Sequence, residues 1–226
     1  MDKKEYCRIV VDKLKTLYPG AVCSLEYKEP LQLLIATRLS AQCTDKRVNM
    51  VTPELFSRFP DLDALCEASV EDIAEIIKPC GLFNTKAKDI SALCHKLRDE
   101  LGGRMPDTLE GLTALPGVGR KTANLMMGDI FKKPAVVADT HCIRISNRLG
   151  LCDSKDPYKV EMQLREICDP VESNDLCHRF VMFGRDVCTA RKTYCEKCPL
   201  CDTCPSAISD SEEKGIKNDE MVHRKA

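Results

Sequence analysis

The sequence of 226 residues contains no tryptophan, and aromatic residues make up only 5% of it. No segment approaches the roughly 18 consecutive apolar residues of a membrane-spanning helix. The start, "MDKKEYCRIV", has no apolar core of the kind found in a signal peptide. No long stretch alternates apolar and polar residues, as a half-buried strand would. These absences predict a soluble, intracellular protein of the all-α class with no membrane partner.

An excess of charge of one sign is also lacking. The 34 Lys and Arg residues nearly balance the 35 Asp and Glu residues, for a formal net charge of −1. A nucleic-acid-binding protein usually has a basic excess, so this balance counts against such a partner. However, much of the acidic charge lies in "SDSEEKGIKNDE" near the C-terminus. The segment 206–226 shows no periodicity and is predicted to be a disordered tail, which leaves a more basic body.

Cysteine, by contrast, is abundant, with 15 residues. Ten of them are scattered singly through segments with a helical pattern, where free cysteine behaves as a small buried apolar residue. Without a signal peptide, this distribution favours a reducing compartment over a secreted, disulfide-linked protein. The other five lie within residues 188–204, where packing alone explains them poorly.

Apolar residues recur at helical spacing along most of the chain. The segment "PLQLLIATRLS" begins with a proline suited to the first helical position and is nearly all apolar, so we expect it to be buried. The pattern predicts about ten short helices and no sheet, at 3–17, 30–40, 46–58, 70–78, 86–101, 108–114, 120–131, 140–149, 157–168 and 174–187.

The segment "LPGVGRKTAN", residues 115–124, interrupts this helical pattern sharply. Gly117 and Gly119 permit backbone torsions and close approaches that other residues resist. Free N–H groups on such a turn, and at the start of the next helix, are able to hold an anion such as a phosphate. From the residues alone, an ordinary helix–helix corner is an equal alternative.

The whole string "LPGVGRKTA" resembles the helix-hairpin-helix DNA-binding motif, and the following "VVADTHCIRISNRLG" resembles the helix-hairpin-helix, Gly/Pro-Asp superfamily of base-excision glycosylases. Within that superfamily the chain is most similar to the endonuclease III family. The similarity runs from about residue 3 to 205 and includes "LLIATRLSAQCTDKRVN", "GLFNTKAKDI" and the cysteine-rich loop. One departure is Ala138, where the family usually carries valine, which is a packing change.

The resemblance implies a bifunctional DNA glycosylase and abasic-site (AP) lyase of base excision repair. Such an enzyme removes oxidised pyrimidines and cleaves the strand 3′ to the abasic site by β-elimination through a lysine Schiff base. The partner would be damaged double-stranded DNA, and the protein would be a cytoplasmic, nucleoid-associated monomer. Two alternatives are an adenine-mismatch glycosylase, which lacks this lysine and carries a further C-terminal domain, and a non-catalytic DNA-binding module.

Two residues fall on the catalytic positions of the family. A lysine is a nucleophile only in its neutral form, and the positive end of a helix dipole disfavours a second positive charge there. Lys121, on the first turn after the break, would be the nucleophile, although position alone favours a solvated lysine. Asp139 precedes a helical run and suits an N-cap. The resemblance also gives it the role of stabilising positive charge on the sugar.

Further positions are assigned to DNA binding. By resemblance, Gln42 would enter the gap left by a flipped nucleotide and Leu82 would act as a wedge. From physical reasoning alone, Gln42 is better explained as a glutamine at a helix end and Leu82 as a leucine buried in the core. Asp45 is a weaker candidate near the site. The remaining predicted DNA-binding residues are Gly117, Val118, Gly119, Arg120, Thr122, His141, Arg191 and Lys192.

The five C-terminal cysteines offer four metal ligands and one spare. They are too close together for two separate zinc knuckles, which favours a [4Fe-4S] cluster held by four thiolates. Zinc is the alternative on ligand type alone. The spacing C-x6-C-x2-C-x5-C matches the endonuclease III cluster when Cys201 is left out, and the predicted ligands are Cys188, Cys195, Cys198 and Cys204. The loop would present a basic patch to phosphates, formed by Arg185, Arg191, Lys192 and Lys197.

The resemblance also implies a domain organisation. Two helical domains would flank a DNA-binding cleft. Residues 23–134 would form a six-helix barrel that includes the hairpin, and residues 1–22 with 135–205 would form the iron–sulfur cluster domain.

Overall fold

The computed structural model describes residues 1–207 and is helical throughout this part of the chain. It confirms the all-α class and the ten predicted helices. The α-helices are α1 Lys3–Leu17, α2 Pro30–Leu39, α3 Asp45–Arg58, α4 Leu62–Glu67, α5 Val70–Ile77, α6 Phe83–His95, α7 Leu109–Thr113, α8 Arg120–Asp129, α9 Thr140–Arg148, α10 Pro157–Ile167 and α11 Ser173–Asp186. Short 3₁₀ turns span Lys78–Cys80, Cys195–Lys197 and Cys201–Thr203, and α6 continues into a π-helical turn at Lys96–Glu100.

Residues 1–207 contain no β-strand, only an isolated antiparallel bridge between Cys188 and Thr193. Helix α4 was not predicted. The predicted tail lies, from residue 208 onward, outside the described residues. No helix in the described part of the chain is both long and apolar enough to cross a membrane.

Side-chain caps fix where many of these helices begin. The N-cap side chain accepts a hydrogen bond from a backbone N–H three residues on, which satisfies a group that has no partner inside the helix. The residues that cap in this way are Thr44, Asp61, Ser69, Thr108, Asp139 and Asp156. Helix α8 begins instead at Arg120, and its N-cap is Gly119, which has no side chain to cap the helix.

The chain divides into two compact units, the first of which is Cys23–Ala135. It contains α2 to α8. Helix α2 is buried as predicted, because Leu33, Leu34, Ile35 and Leu39 are fully enclosed. Burial of each such side chain stabilises the fold by roughly 1.5–3 kcal/mol relative to exposure. Helix α6 packs against α5, α4 and α2 at the centre of this unit.

The second unit combines Met1–Val22 with the described residues from Val136 onward. Helix α11 packs against α9 and α1, with Phe180 and Phe183 buried among them. The buried guanidinium of Arg179 is paired with Glu172 at 2.9 Å and Asp175 at 3.2 Å. This core supports the cysteine-rich loop that follows α11.

Candidate nucleic-acid interface

The hairpin between α7 and α8 is anchored by two apolar side chains. Leu115 is 2% exposed and Val118 is 7% exposed. The N–H of Val118 donates to the carbonyl of Leu115 at 3.2 Å and closes the turn. Because the Val118 side chain points into the core, only its backbone remains available to a ligand at this predicted DNA-binding position.

Gly117 is the residue that the turn requires to be glycine. Its φ is +72°, in the left-handed region that favours glycine. A Cβ at this position would lie 2.9 Å from the Cβ of Asp89 and 3.0 Å from Nε of Arg38. Asp89 and Arg38 form an ion pair on which the turn rests. Neither was singled out from the sequence, although Arg38 is the one charged residue of helix α2.

Gly119 is a different case. Its φ of −90° and ψ of 172° suit any residue, and a Cβ would meet nothing within 4 Å. It is the N-cap of the ten-residue helix α8, whose first turn has no side-chain cap. The backbone N–H groups of a helix start attract anions through their partial positive charge. The fold therefore leaves open space beside a group of donors suited to a phosphate.

The first turn of α8 adds charged side chains to these donors. Arg120 and Lys121 are exposed and Thr122 is half-buried. Lys121 is the second residue of the helix. A cation here is not explained by helix stability, because positive side chains are unfavourable near a helix N-terminus.

Asp139 caps helix α9, as expected from its sequence position. Its Oδ1 accepts a hydrogen bond of 2.7 Å from the N–H of Cys142. His141, on the first turn of α9, is half-buried, and its Nδ1 lies 3.2 Å from Nη2 of Arg144. The same Nη2 is 3.1 Å from the carbonyls of Gly184 and Cys188, so Arg144 links α9 to α11 and the start of the cysteine-rich loop.

Gln42 and Leu82, both in the unit Cys23–Ala135, share an unusual geometry. Gln42 has a φ of +55° and Leu82 a φ of +48°, and they are two of only three non-glycine residues with positive φ among residues 1–207. Both side chains are exposed, and Leu82 is 56% exposed. Leu82 is therefore not the core leucine that physical reasoning alone preferred. Asp45, the weaker candidate in this unit, accepts a hydrogen bond of 2.6 Å from Ser24.

The C-terminal cysteines surround one cavity. All five line it together with Arg148 and Tyr194, and no carboxylate contributes to the lining. Every one of the cysteines is a free thiol. Burial raises the pKa of Cys198 to about 11, and nearby cysteines of the loop add to this increase. The lining thus offers five sulfur donors and no carboxylate, which suits soft metal centres.

Side chains from two helices hold this loop in place. Arg148, at the end of α9, donates from Nη1 to the Sγ of Cys188 at 3.3 Å and to the carbonyl of Thr189 at 2.7 Å. Lys13 of α1 donates to the carbonyl of Pro199 at 2.7 Å. Arg148 and Lys13 were not predicted as loop supports, because their partners are distant in sequence.

The residues of the predicted basic patch are exposed. Three of them lie on the same loop, whereas Arg185 lies in the last turn of α11 and not on the loop as predicted. Arg185, Arg191, Lys192 and Lys197 all face solvent. The ammonium groups of Lys192 and Lys197 lie 5.0 and 5.8 Å from the ring centre of Tyr194. A turn closed by Thr189, whose hydroxyl accepts from the N–H of Lys192 at 3.1 Å, fixes the local backbone.

The chain matches known proteins over most of its length. Residues 35–170 match the model of the HhH-GPD superfamily, described as base excision DNA repair proteins. Endonuclease III of Synechocystis sp. is 46% identical over 206 residues, covering 91% of this chain and 94% of that protein.

Two solved structures of related proteins share the fold. A trapped covalent intermediate of endonuclease III with DNA, an estranged-adenine complex, has a TM-score of 0.86 at 38% identity, and the match covers 92% of this chain and 98% of that one. A non-covalent complex of endonuclease III with DNA has a TM-score of 0.87 at 37% identity, with 96% and 100% covered.

The hairpin, the helical fold and the matched segment define a base excision DNA repair protein of the helix-hairpin-helix type. Within that class, the chain belongs to the endonuclease III family, and it is a DNA glycosylase with AP lyase activity. The family resemblance derived from the sequence motifs is thereby confirmed.

Proposed function

We propose that Lys121 is the nucleophile of both the glycosylase and the lyase reactions. The observation that carries this proposal is its place: an exposed lysine on the first turn of α8, directly after a helix start suited to a phosphate. A backbone phosphate bound at that helix start would bring the adjoining sugar within reach of the lysine side chain.

The chemical steps follow from a neutral amine at this position. The Nζ of Lys121 attacks the anomeric carbon, the bond to the base breaks, and the base leaves with a proton. The nitrogen releases a proton and forms an imine as the bond between the anomeric carbon and the ring oxygen breaks, and the ring oxygen takes up a proton. The imine eases removal of a 2′ proton, and the electron pair left behind expels the 3′ phosphate by β-elimination. Water then hydrolyses the imine and restores the amine.

Asp139 is assigned the electrostatic role in this reaction. Positive charge develops on the sugar as the bond to the base breaks, and a fixed carboxylate stabilises that charge. The carboxylate would also accept the proton that the attacking amine releases. Its N-cap hydrogen bond to Cys142 holds the group in one orientation without consuming its negative charge.

The substrate proposed is an oxidised pyrimidine in double-stranded DNA. A base within a duplex is reached only after it leaves the stack, and the space it vacates must be filled. Gln42 and Leu82 are exposed side chains on left-handed backbone and are assigned this task. The hairpin, His141, Arg191 and Lys192 would contact the DNA backbone, and binding of this kind weakens as salt increases.

A [4Fe-4S] cluster on Cys188, Cys195, Cys198 and Cys204 is proposed for the C-terminal loop. The supporting observation is that these four cysteines line one cavity to which no carboxylate contributes. The cluster, when bound, would cross-link the loop and so support its basic patch. Because its substrate would be genomic DNA, the protein is proposed to act as a nucleoid-associated monomer in the cytoplasm.

Borohydride trapping tests the assignment of Lys121. Reduction of the imine during turnover on an oxidised-pyrimidine duplex should yield a covalent protein–DNA adduct with the parent protein. Lys121→Gln should bind the duplex but neither cleave it nor be trapped. Lys28→Gln removes another exposed lysine from the same unit and should be trapped normally. Abundant trapping of Lys121→Gln at a different amine would overturn the proposal.

A further inference from the structure

Lys86 is a cationic residue whose side chain is completely buried, with 0% of the residue exposed. Burial of a cation is costly unless hydrogen bonds compensate for the lost water. Its Nζ donates to the carbonyl of Leu39 at 2.7 Å and to the carbonyl of Cys80 at 2.9 Å. Burial lowers the pKa of Lys86, so its charge at this position costs stability. A buried cation kept at such a cost calls for an explanation other than core packing.

The two carbonyls belong to different segments, each at the end of a helical element. Leu39 is the last residue of α2, and Cys80 is the last residue of the 3₁₀ turn Lys78–Cys80. Carbonyls at helix ends have no donor inside the helix and carry partial negative charge, so an ammonium is a favourable partner. One side chain therefore joins two loops that are about forty residues apart in sequence.

These two loops carry the pair of exposed left-handed residues. Gln42 follows the first carbonyl by three positions, and Leu82 follows the second by two. Left-handed backbone is strained for a non-glycine residue and persists only where the surroundings enforce it. Burial, together with the nearby thiol of Cys43, raises the pKa of Cys80 to about 11, so the same two loops are also close together at these residues.

We propose that Lys86 is a positioning residue that holds these two loops in register, so that Gln42 and Leu82 enter the duplex together. This inference rests on the role proposed above for those two residues. Lys86 itself is 0% exposed and does not touch DNA. Its effect should be limited to reactions on duplex substrates, because a flexible single strand has no stacked gap to fill.

The test compares two single-turnover rates for each variant. One is base excision from a duplex containing an oxidised pyrimidine, and the other is strand cleavage at an abasic site in single-stranded DNA. Lys86→Met should lower the duplex rate on the order of tenfold or more, since misplacement of a group by about 1 Å can cost a hundredfold. Its single-strand rate should stay within a factor of about two, because no wedge is needed there. Lys88→Met, an exposed lysine on the same helix, is the matched control and should leave both rates near their parent values.

The controls separate failure of this inference from failure of the proposed function. Gln42→Ala and Leu82→Ala should show the same selective loss on duplex substrate, and if neither does, the proposed role of those residues is wrong. If they do and Lys86→Met does not, the positioning role is wrong. Equal loss of both rates with Lys86→Met, alongside a lower unfolding temperature, would also overturn it. If Lys86→Met does not fold, the two rates are measured for Lys86→Gln instead, whose side-chain amide keeps a donor group. The same outcomes then support or overturn the positioning role.

Discussion

The guanidinium of Arg38 and the carboxylate of Asp89 form a two-point ion pair directly beneath the hairpin. Nε and Nη2 of Arg38 both donate to Oδ2 of Asp89, at 2.8 and 2.5 Å. The pair joins α2 to α6 and forms the surface on which Gly117 lies. Because both side chains are engaged, neither is free to move aside for a larger residue at 117.

The first prediction concerns the two hairpin glycines, to which the structure assigns different roles. Gly117→Ala should destabilise the protein by about 1 kcal/mol or more, because the residue has positive φ and its Cβ would collide with the ion pair. Gly119→Ala should leave stability within about 0.5 kcal/mol, because its torsions are ordinary and the space is open. Denaturant unfolding under reducing conditions measures both effects.

Gly119→Ala, which should barely change stability, should nevertheless lower the affinity for DNA. If the open space at Gly119 admits a phosphate, a methyl group there should weaken binding to damaged and undamaged duplex alike, because phosphate contacts carry no sequence information. Fluorescence anisotropy at several salt concentrations measures this affinity. Normal affinity of Gly119→Ala would show that this turn is only a corner between helices.

The hairpin also shows how far sequence reasoning reaches. A break with two glycines predicts a tight turn, since the permissive torsions of glycine are a local property. It does not reveal that only Gly117 needs them, because that depends on a pair 51 residues apart in sequence. Lys86 could not be foreseen for the same reason. Within a helical run it resembles any other lysine, and only the packed structure places its ammonium between two carbonyls.

Leu82 and the short helix α4 illustrate two further limits. A leucine is usually buried, and the exposure of Leu82 follows from a left-handed backbone that the chain pattern does not predict. Helix α4, which begins with a cap from Asp61, was missed, although the five-residue helix α7 was predicted. The longer helices were predicted because their apolar spacing repeats over several turns.

The second prediction separates the two roles of Asp139. Asn is as good an N-cap as Asp, so Asp139→Asn should keep stability within about 0.5 kcal/mol of the parent protein. The same change removes the carboxylate and should slow base excision by about 10²–10³, the usual cost of losing one electrostatic contact to a transition state. Single-turnover excision and denaturant unfolding measure the two effects separately.

A cap elsewhere in the same unit provides the control. Asp156 caps α10 by accepting from the N–H of Lys159 at 2.9 Å. Asp156→Ala should cost about 1 kcal/mol of stability and leave excision unchanged. If Asp139→Asn retained full excision activity, Asp139 would be a cap and nothing more.

The third prediction concerns the cysteines of the C-terminal loop. Anaerobically purified protein should contain about four irons per chain, as expected of a four-thiolate cubane cluster. Serine at Cys188, Cys195, Cys198 or Cys204 should sharply reduce the iron content. Cys201→Ser is the control, since Cys201 lines the same cavity but falls outside the ligand spacing, and it should retain iron. Stoichiometric zinc without iron would reject the cluster.

The last prediction is a loss of stability at alkaline pH caused by buried thiols. Burial raises the pKa of Cys94 in the folded protein to about 12, and Cys94 is 0% exposed within α6. In the unfolded chain a thiol ionises near pH 8.5. The thiol therefore makes its full contribution to the free energy of unfolding below about pH 8.5. As the pH rises from there toward the pKa of the thiol in the folded protein, this contribution is lost by about 1.4 kcal/mol per pH unit for each such thiol.

Cys94→Ala should make the free energy of unfolding less dependent on pH, because the variant lacks one of the buried thiols. Free energies of unfolding, measured in denaturant under reducing conditions at pH 7, 8, 9 and 10, should fall less steeply for the variant above pH 8.5. The variant should also be less stable at pH 7, because it leaves a small cavity. Leu93→Ala provides the comparison, since Leu93 is 1% exposed on the same helix and its loss creates a larger cavity without removing an ionisable group. Its slope against pH should equal that of the parent protein. If Cys94→Ala had the parent slope as well, the thiol of Cys94 would not be held neutral by burial, and the alkaline loss of stability would have to come from other groups.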